Sequence, residues 1–273
     1  MTEPKARGPM RLPGFRAQTT RPHERLAPVL SIIVPVLNEA RSIGPALFAL
    51  KPLRQRGVEV IVVDGGSEDE TPLLAQPLAD RVITAPRGRA SQMNAGAKVA
   101  SGFIFLFLHA DTKLPDDADA QVMYGRARDT AVWGRFDVRI AGRHPLLPVV
   151  ARFMNWRSRA TGIATGDQAM FVQRETFFRL GGFADIPLME DIELSKRLKR
   201  ITAPICVSSR VTTSGRRWDR DGLWKTIWQM WDLRLRYWLG TDPAALARRY
   251  GYEPRPDQIE AASTGSLRRS RIP

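Results

Sequence analysis

Three aliphatic runs constrain the fold of this chain more than any other feature. Leu30–Val36 (LSIIVPV), Val58–Val63 (VEVIVV) and Phe103–Leu108 (FIFLFL) are apolar at nearly every position, without the alternation of a strand that keeps one face in water. Such runs are strands covered on both sides. Between them, Ser42–Leu53, Glu68–Ala79 and Arg89–Ala100 carry helical spacing, and Arg81–Thr84 reads as a further short strand. Strands alternating with helical crossovers predict right-handed βαβ units, hence an α/β architecture with a mostly parallel, Rossmann-like sheet flanked by helices. With 273 residues, 43% of them apolar, the chain can cover such a sheet. A chain of this size buries roughly three quarters of its unfolded surface.

In an open parallel sheet, ligands sit beyond the carboxyl ends of the strands. The three runs end in Asn38-Glu39, Asp64 and His109-Ala110-Asp111, which are therefore expected to converge. Asp64-Gly65-Gly66-Ser67, followed by Asp69 and Thr71, stands where a strand turns into a helix. Its glycines allow close backbone approach, the helix start favours phosphate, and the Asp64 carboxylate can accept from a base N–H or a ribose hydroxyl. An ordinary βα turn with a helix cap is the alternative. The motif is not G-x-G-x-x-G, and no G-x-x-x-x-G-K-[ST] occurs, which disfavours a nicotinamide dehydrogenase and a P-loop nucleotidase. An acid at the mouth of an apolar strand is costly unless paired or metal-bound. His109 and Asp111, two apart on an extended chain, point the same way and suit a divalent cation, with a strand-end turn as the alternative.

Past residue 115 the alternation loosens. Val132–Ile140 and Ala169–Gln173 read as strands, Leu146–Thr161 as a helix, and a second helix runs through Leu180 to Gly181-Gly182. Pro187–Lys199 carries Glu190-Asp191 at a helix start. In Leu223–Leu239, Trp224, Trp228, Trp231, Leu235 and Trp238 recur at steps of four and three, while Lys225, Gln229, Asp232 and Arg236 take the other side. A Trp-rich face with basic neighbours suits an anionic bilayer surface, and it equally suits packing on the core or on a second copy.

Forty-two Lys and Arg against 28 Asp and Glu give a net charge of +14, which calls for an anionic partner. Nucleic acid, anionic lipid and phosphorylated small molecules all qualify, but no nucleic-acid motif is present, so no nucleic-acid partner is expected. A single cysteine, Cys206, excludes a disulfide framework, and His23, His109 and His144 are too scattered for a histidine cage. Residues 1–28 hold six basic side chains and five prolines with no apolar run, and read as a basic, disordered extension rather than a signal peptide, with a transit peptide as the alternative. No apolar stretch reaches the roughly 18 residues of a membrane span, so a cytoplasmic protein is expected, with peripheral contact at the inner membrane face as the further option.

Six segments now stand in fixed order: Ile32–Glu39 (IIVPVLNE), Val62–Thr71 (VVDGGSEDET), Gly88–Gly96 (GRASQMNAG), His109-Ala110-Asp111, Gly181-Gly182-Phe183 and Glu190-Asp191. Together they resemble glycosyltransferase family 2, inverting nucleotide-sugar enzymes of GT-A fold. Thr165–Val172 (TGDQAMFV) and Ser214–Trp218 (SGRRW) are similar to the bacterial selenodomain-associated transferases within it. The resemblance implies a GT-A-like domain over 29–251, with a nucleotide-sugar half (29–114), an acceptor half (115–251) carrying the amphipathic helix 222–239, and a disordered tail over 252–273.

It further implies roles. Pro35, Asn38, Glu39, Asp64, Gly65 and Ser67 correspond to the nucleoside pocket, and Arg89 and Asn94 to positions holding the far side of the nucleotide. Asp111 matches the last acid of a D-x-D signature that binds Mn²⁺ or Mg²⁺ on the diphosphate. His109 stands where the first acid belongs and is a second candidate ligand. Asp191, with Glu190 beside it, matches the catalytic base, and Arg216, Arg217 and Trp218 a loop over the leaving group. The implied donor is a UDP- or GDP-sugar and the acceptor a hydroxyl, a lipid-linked one included. The missing first acid keeps a non-catalytic nucleotide-sugar or lipid-binding module as the alternative. A nucleotidyltransferase is disfavoured, because the first turn holds Glu39 where such enzymes need a basic glycine-rich loop.

Overall fold

A computed structural model describes residues 28–263 except residue 129, with the side chains of 126–128 and 260–263 outside the description. The expected extension therefore lies outside the described residues except for Pro28. Eight strands form one sheet: β1 Leu30–Val36, β2 Glu59–Asp64, β3 Arg81–Thr84, β4 Ile104–Phe107, β5 Thr112–Lys113, β6 Trp133–Ala141, β7 Phe171–Gln173 and β8 Ile205–Ser214. Their order is β3-β2-β1-β4-β7-β6-β8-β5.

Every residue of β1, β2 and β4 is buried, which is why these strands read as unbroken apolar runs. Their side chains alternate between two cores. Ile32, Val34 and Leu106 meet Ile43 and Leu47 of helix Ala40–Phe48 on one face. Ile33, Val63, Phe105 and Phe107 meet Met93 and Ala97 of helix Arg89–Val99, with Phe177 and Leu194, on the other. The Phe107 and Phe183 rings meet edge to face at 4.8 Å.

β3-β2-β1-β4 is wholly parallel, with Ile33 in register with both Ile61 and Phe107. From β1 the chain builds outward through β2 and β3, then returns to lay β4 on the opposite side of β1. The order reverses between β1 and β4, and a crevice opens at the carboxyl ends there. Glu39 follows β1 and His109-Ala110-Asp111 follows β4, so both reach that crevice. β7 pairs antiparallel with β4 and β6, while β6 and β8 run parallel, so the second half of the sheet is mixed.

Several elements differ from expectation. The single helix over Ser42–Leu53 is two, Ala40–Phe48 and Lys51–Gln55, with Pro52 in the first turn of the second. Glu68–Ala79 is helical only as Thr71–Ala75 and a 3₁₀ turn Gln76–Leu78. β8, the longest strand, has no counterpart in the sequence reading, because ICVSSRVTTS mixes Ser, Thr and Arg into a strand that is only partly buried. The tail over 252–273 is expected to be disordered; residues 264–273 of it lie outside the described residues. Instead Pro256–Ser263 is helical, and the Arg255 guanidinium pins it by donating to Arg87 O at 3.1 Å, Ser91 Oγ at 2.8 Å and Asp185 Oδ2 at 2.5 Å.

Helix Arg89–Val99 approaches the sheet through Gly96, where an added Cβ would stand 2.5 Å from Ile33 Cγ2 and 2.9 Å from Val63 Cγ2. Gly44, in the other helix, has nothing within 4 Å of such a Cβ. Glycine to alanine in a helix ordinarily stabilises by about 1 kcal/mol. We expect Gly44→Ala to do so and Gly96→Ala to reverse the sign, destabilising by about 1–3 kcal/mol through overpacking, both read from urea midpoints.

Candidate functional site

The loops at the carboxyl ends of β1 and β2 are sewn to each other. Ser67 Oγ accepts from Asn38 N at 2.9 Å, Asn38 Oδ1 from Glu68 N at 2.9 Å, Thr71 Oγ1 from Glu39 N at 2.8 Å and Asp69 Oδ2 from Ala40 N at 3.1 Å. Beneath them the buried Gln92 donates from Nε2 to both Val36 O and Val63 O at 2.8 Å. One amide thus closes the ends of two strands, and Gly65 leaves room for it: a Cβ there would stand 3.0 Å from the Gln92 amide. The sequence reading assigned Gln92 no role, since a glutamine inside a helical segment carries no signal of what it reaches.

Over this base, charged groups from both halves meet. Arg216 Nη2 lies 3.7 Å from Glu39 Oε2 and 3.7 Å from Asp111 Oδ2, drawing the β1, β4 and β8 ends to one guanidinium. Arg89, at the start of its helix, stands 3.4 Å from Glu190, whose side chain is only 3% exposed. Burial raises the Glu190 carboxyl above the usual range and Arg89 opposes the rise, while the charge of Glu190 raises Arg89 in turn. His109 Nδ1 is 3.5 Å from Asp167. Burial alone would lower the imidazole, but the hydrogen bond and charge of Asp167 outweigh it and leave His109 raised. Asp167, against a burial that would raise it, is held low by His109 and Arg89. Asp191 Oδ2 accepts from Gly166 N at 2.8 Å, so the 3₁₀ turn Gly166–Gln168 orients that carboxylate.

These groups, Arg216 excepted, line three adjoining cavities. One of about 260 Å³ is bounded by Pro35, Glu39, Arg89, Gln92, Asp111 and Tyr252. One of about 560 Å³ holds Asp111, Asp167, Arg217, Trp218, Arg234 and Tyr250. One of about 100 Å³ surrounds Asp191 and Glu190. Arg89 and His109 border all three, making one branched cleft.

Not every candidate residue reaches it. Asp64 is 4% exposed and its carboxylate is satisfied within its own turn, accepting from Gly66 N at 2.9 Å, Ser67 N at 3.0 Å and Ser67 Oγ at 2.5 Å. Asn94 clamps Phe183, donating to its carbonyl at 2.8 Å and accepting from its N–H at 2.9 Å. Arg217 does reach the 560 Å³ cavity, where it stacks on Tyr250 with its guanidinium 3.8 Å from the ring centroid and bonds Gln229 at 3.1 Å.

For a divalent metal, no group of three His, Cys, Asp or Glu among the described residues is placed to hold the ion alone. Both His109 nitrogens face the 165–168 turn, Nδ1 toward Asp167 and Nε2 within 2.4 Å of where a residue-166 Cβ would stand. Asp111 remains, a third exposed at the cleft mouth. A single carboxylate fits Mg²⁺ or Mn²⁺ when phosphate oxygens complete the shell, and does not fit an all-protein cage.

The left-handed non-glycine residues of the described chain gather here. Asn38 (φ 53°) precedes Glu39, Ala169 (φ 45°) follows the Asp167 turn, and Met189 (φ 72°) precedes Glu190-Asp191. Such conformations cost of order 1–3 kcal/mol each and persist where surrounding contacts fix them. Residues without a prior role are Arg87, Asp167, Arg234, Tyr250 and Tyr252. Asp167 lay inside a quoted motif, whereas the tyrosines sit at the expected domain end, where nothing in the local pattern distinguishes them.

The chain matches the family described as Glycosyl transferase family 2 over residues 31–181. It is 37% identical over 95 residues to a PGL/p-HBAD biosynthesis glycosyltransferase of Mycobacterium bovis, covering 32% of this chain and 37% of that protein. The chain spans about a third of the length of the first curated relatives it matches. Among solved structures it is similar to the mannosyltransferase PcManGT of Pyrobaculum calidifontis, in complex with GDP-Man and Mn²⁺, at TM-score 0.55 and 25% identity over 88% of this chain and 70% of that one. It is also similar to S. aureus TarS 1-349 in complex with UDP-GlcNAc, at TM-score 0.55 and 16% identity over 68% and 58%. These likenesses establish the GT-A fold.

The Asn94 geometry separates a structural from a nucleotide-binding role. Asn94→Ala strands the Phe183 N–H and carbonyl, and should cost about 2 kcal/mol in urea unfolding. Calorimetric titration of the folded variant with UDP or GDP should give the parent affinity.

Proposed function

The chain belongs to glycosyl transferase family 2, and we propose that it moves a sugar, with inversion, from a nucleotide-diphosphate donor to a hydroxyl acceptor. The observation that carries this reading is the meeting of Glu39 and Asp111, from the two strands flanking the switch point, at Arg216, in a cleft continuous with Asp191. The solved relatives with GDP-Man or UDP-GlcNAc support the donor class.

In this reading the nucleoside occupies the 260 Å³ cavity, against Pro35, Glu39 and Tyr252. Its diphosphate lies toward Asp111, where Arg216 exchanges its present carboxylate partners for phosphate oxygens. A divalent ion on Asp111, when bound, neutralises charge on the departing diphosphate. Arg216 and Arg89 add positive charge there without reorganisation of solvent. Asp191 takes the acceptor hydroxyl proton as the new C–O bond forms at the anomeric carbon and the bond to diphosphate breaks. Gly166 N–H holds one Asp191 oxygen, leaving the carboxylate oriented. Glu190, locked to Arg89, positions Asp191 and ties it to the donor side.

The acceptor enters from the 560 Å³ cavity, and a lipid-linked acceptor suits its walls. The Trp side of helix Leu223–Trp238 faces outward, with Trp224 74% and Trp228 76% exposed, while Leu223, Thr226 and Leu233 face the protein. Among the described residues no helix is long and apolar enough to cross a membrane. The exposed face fits peripheral contact with an anionic inner membrane surface.

Removal of the base tests this directly. Asp191→Asn should lower transfer by about 10²–10⁴-fold while donor affinity stays at the parent value; parallel loss of both would overturn the base role. Asp111→Ala should abolish the difference in donor affinity between Mn²⁺ and EDTA, measured by calorimetry. A Mn²⁺ effect that survives the substitution places the ion elsewhere.

A further inference from the structure

The 260 Å³ cavity read as the nucleoside site takes one wall from far down the chain. Helix Pro243–Tyr250 ends at Gly251, whose φ of 85° turns the backbone sharply. Tyr252 N then donates back to Ala247 O at 2.9 Å. The turn parts two tyrosines: Tyr250 lines the 560 and 100 Å³ cavities, and Tyr252 lines the 260 Å³ cavity. This segment lies beyond residues 31–181, which match the family.

Several contacts lay Tyr252 against the start of helix Arg89–Val99. The Arg87 guanidinium lies over its ring, 5.5 Å from the centroid. Gly88, at φ 135°, puts no side chain between the two segments: a Cβ there would stand 3.6 Å from Tyr252 Oη and 3.8 Å from Arg255 Nη1. Arg255 is the latch. Its side chain is 13% exposed, and it donates to Arg87 O at 3.1 Å, Ser91 Oγ at 2.8 Å and Asp185 Oδ2. Gln258 Nε2 adds a bond to Asp185 Oδ1 at 2.9 Å. Arg87 is thus gripped twice, through its side chain by Tyr252 and through its carbonyl by Arg255.

Held this way, Tyr252 Oη is buried and has no hydrogen-bond partner among the described residues. A buried hydroxyl that the fold places and does not satisfy calls for a partner from elsewhere. Neighbouring polar groups of the cavity are already committed. The Gln92 amide serves Val36 O, Val63 O and Gly88 N, and the Glu39 carboxylate faces Ser42 and Arg216. We infer that Tyr252 contacts the donor, its hydroxyl donating to an oxygen of the base or ribose, and that Arg255 is the positioning residue that holds it there. The ligand class is a nucleoside diphosphate, touched at its nucleoside end. The inference rests on the proposed reading of the 260 Å³ cavity as the nucleoside site. Because the turn is latched beforehand, little ordering is left to oppose binding, and the bond appears in affinity.

The test uses the full chain and calorimetric titration with UDP, GDP and pyrophosphate, each with Mn²⁺. Tyr252→Phe keeps the ring under Arg87 and removes only the oxygen. It should weaken whichever of UDP and GDP the parent binds by about 3–10-fold, the share of one neutral hydrogen bond, and leave pyrophosphate at the parent Kd. Its Tm should equal or exceed that of the parent, since no protein group loses a partner. Arg255→Ala should weaken the same nucleotide at least as much. Adding Tyr252→Phe to it should then change Kd by less than about twofold, because the hydroxyl is already out of place. Additive losses, or an Arg255→Ala protein of parent nucleotide affinity and lower Tm, overturn the positioning role. Unchanged nucleotide affinity in Tyr252→Phe, an equal loss for pyrophosphate, or a fall in its Tm overturns the Tyr252 contact and leaves the donor reading standing. Binding of neither UDP nor GDP by the parent chain overturns the donor reading, and the inference with it.

Discussion

A carboxylate buried at the mouth of an apolar sheet needs a cation or a set of hydrogen-bond donors, and Glu190 meets that need with Arg89 across the cleft. Arg89 begins the helix that backs β1 and β2, and Glu190 begins the helix that presents Asp191. Their contact joins the parallel half of the sheet to the mixed half across the cleft. Without Arg89, Glu190 becomes an uncompensated charge in a poorly solvated place, so the two helices are held in one relative position. Gln92 performs the neutral counterpart of this task below, closing two strand-end carbonyls with one amide.

The positioning is reinforced by backbone geometry. Asn38, Ala169 and Met189 each sit in the left-handed region within two residues of a charged residue of the cleft. A relaxed turn at any of these places would re-aim Glu39, Asp167 or Asp191. The strain is local, and the hydrogen bonds of the β1 and β2 loops together with the 3₁₀ turn of Gly166–Gln168 hold it in place.

The parallel half was legible because double burial writes itself as unbroken apolar runs, and because Glu39 and Asp111 end two of those runs on either side of the switch point. Asp64 ends a third run, yet its carboxylate curls into its own turn; strand-end spacing places a residue without saying which way the side chain goes. Asn94 illustrates the same limit, since its partner Phe183 is 89 residues away. β8 escaped notice because a half-buried strand rich in Ser and Thr lacks a strong period. The Trp helix was visible as a stripe, but the same periodicity serves a face turned inward or outward, and only tertiary packing of Leu223, Thr226 and Leu233 decided it.

His109 and Gly166 constrain each other sterically. The imidazole occupies the volume that any side chain at 166 would need, with Cε1 2.3 Å from the position of its first carbon. The two positions are therefore mutually dependent: the imidazole at 109 leaves room only for bare backbone at 166, and a side chain at 166 would demand a smaller or displaced group at 109.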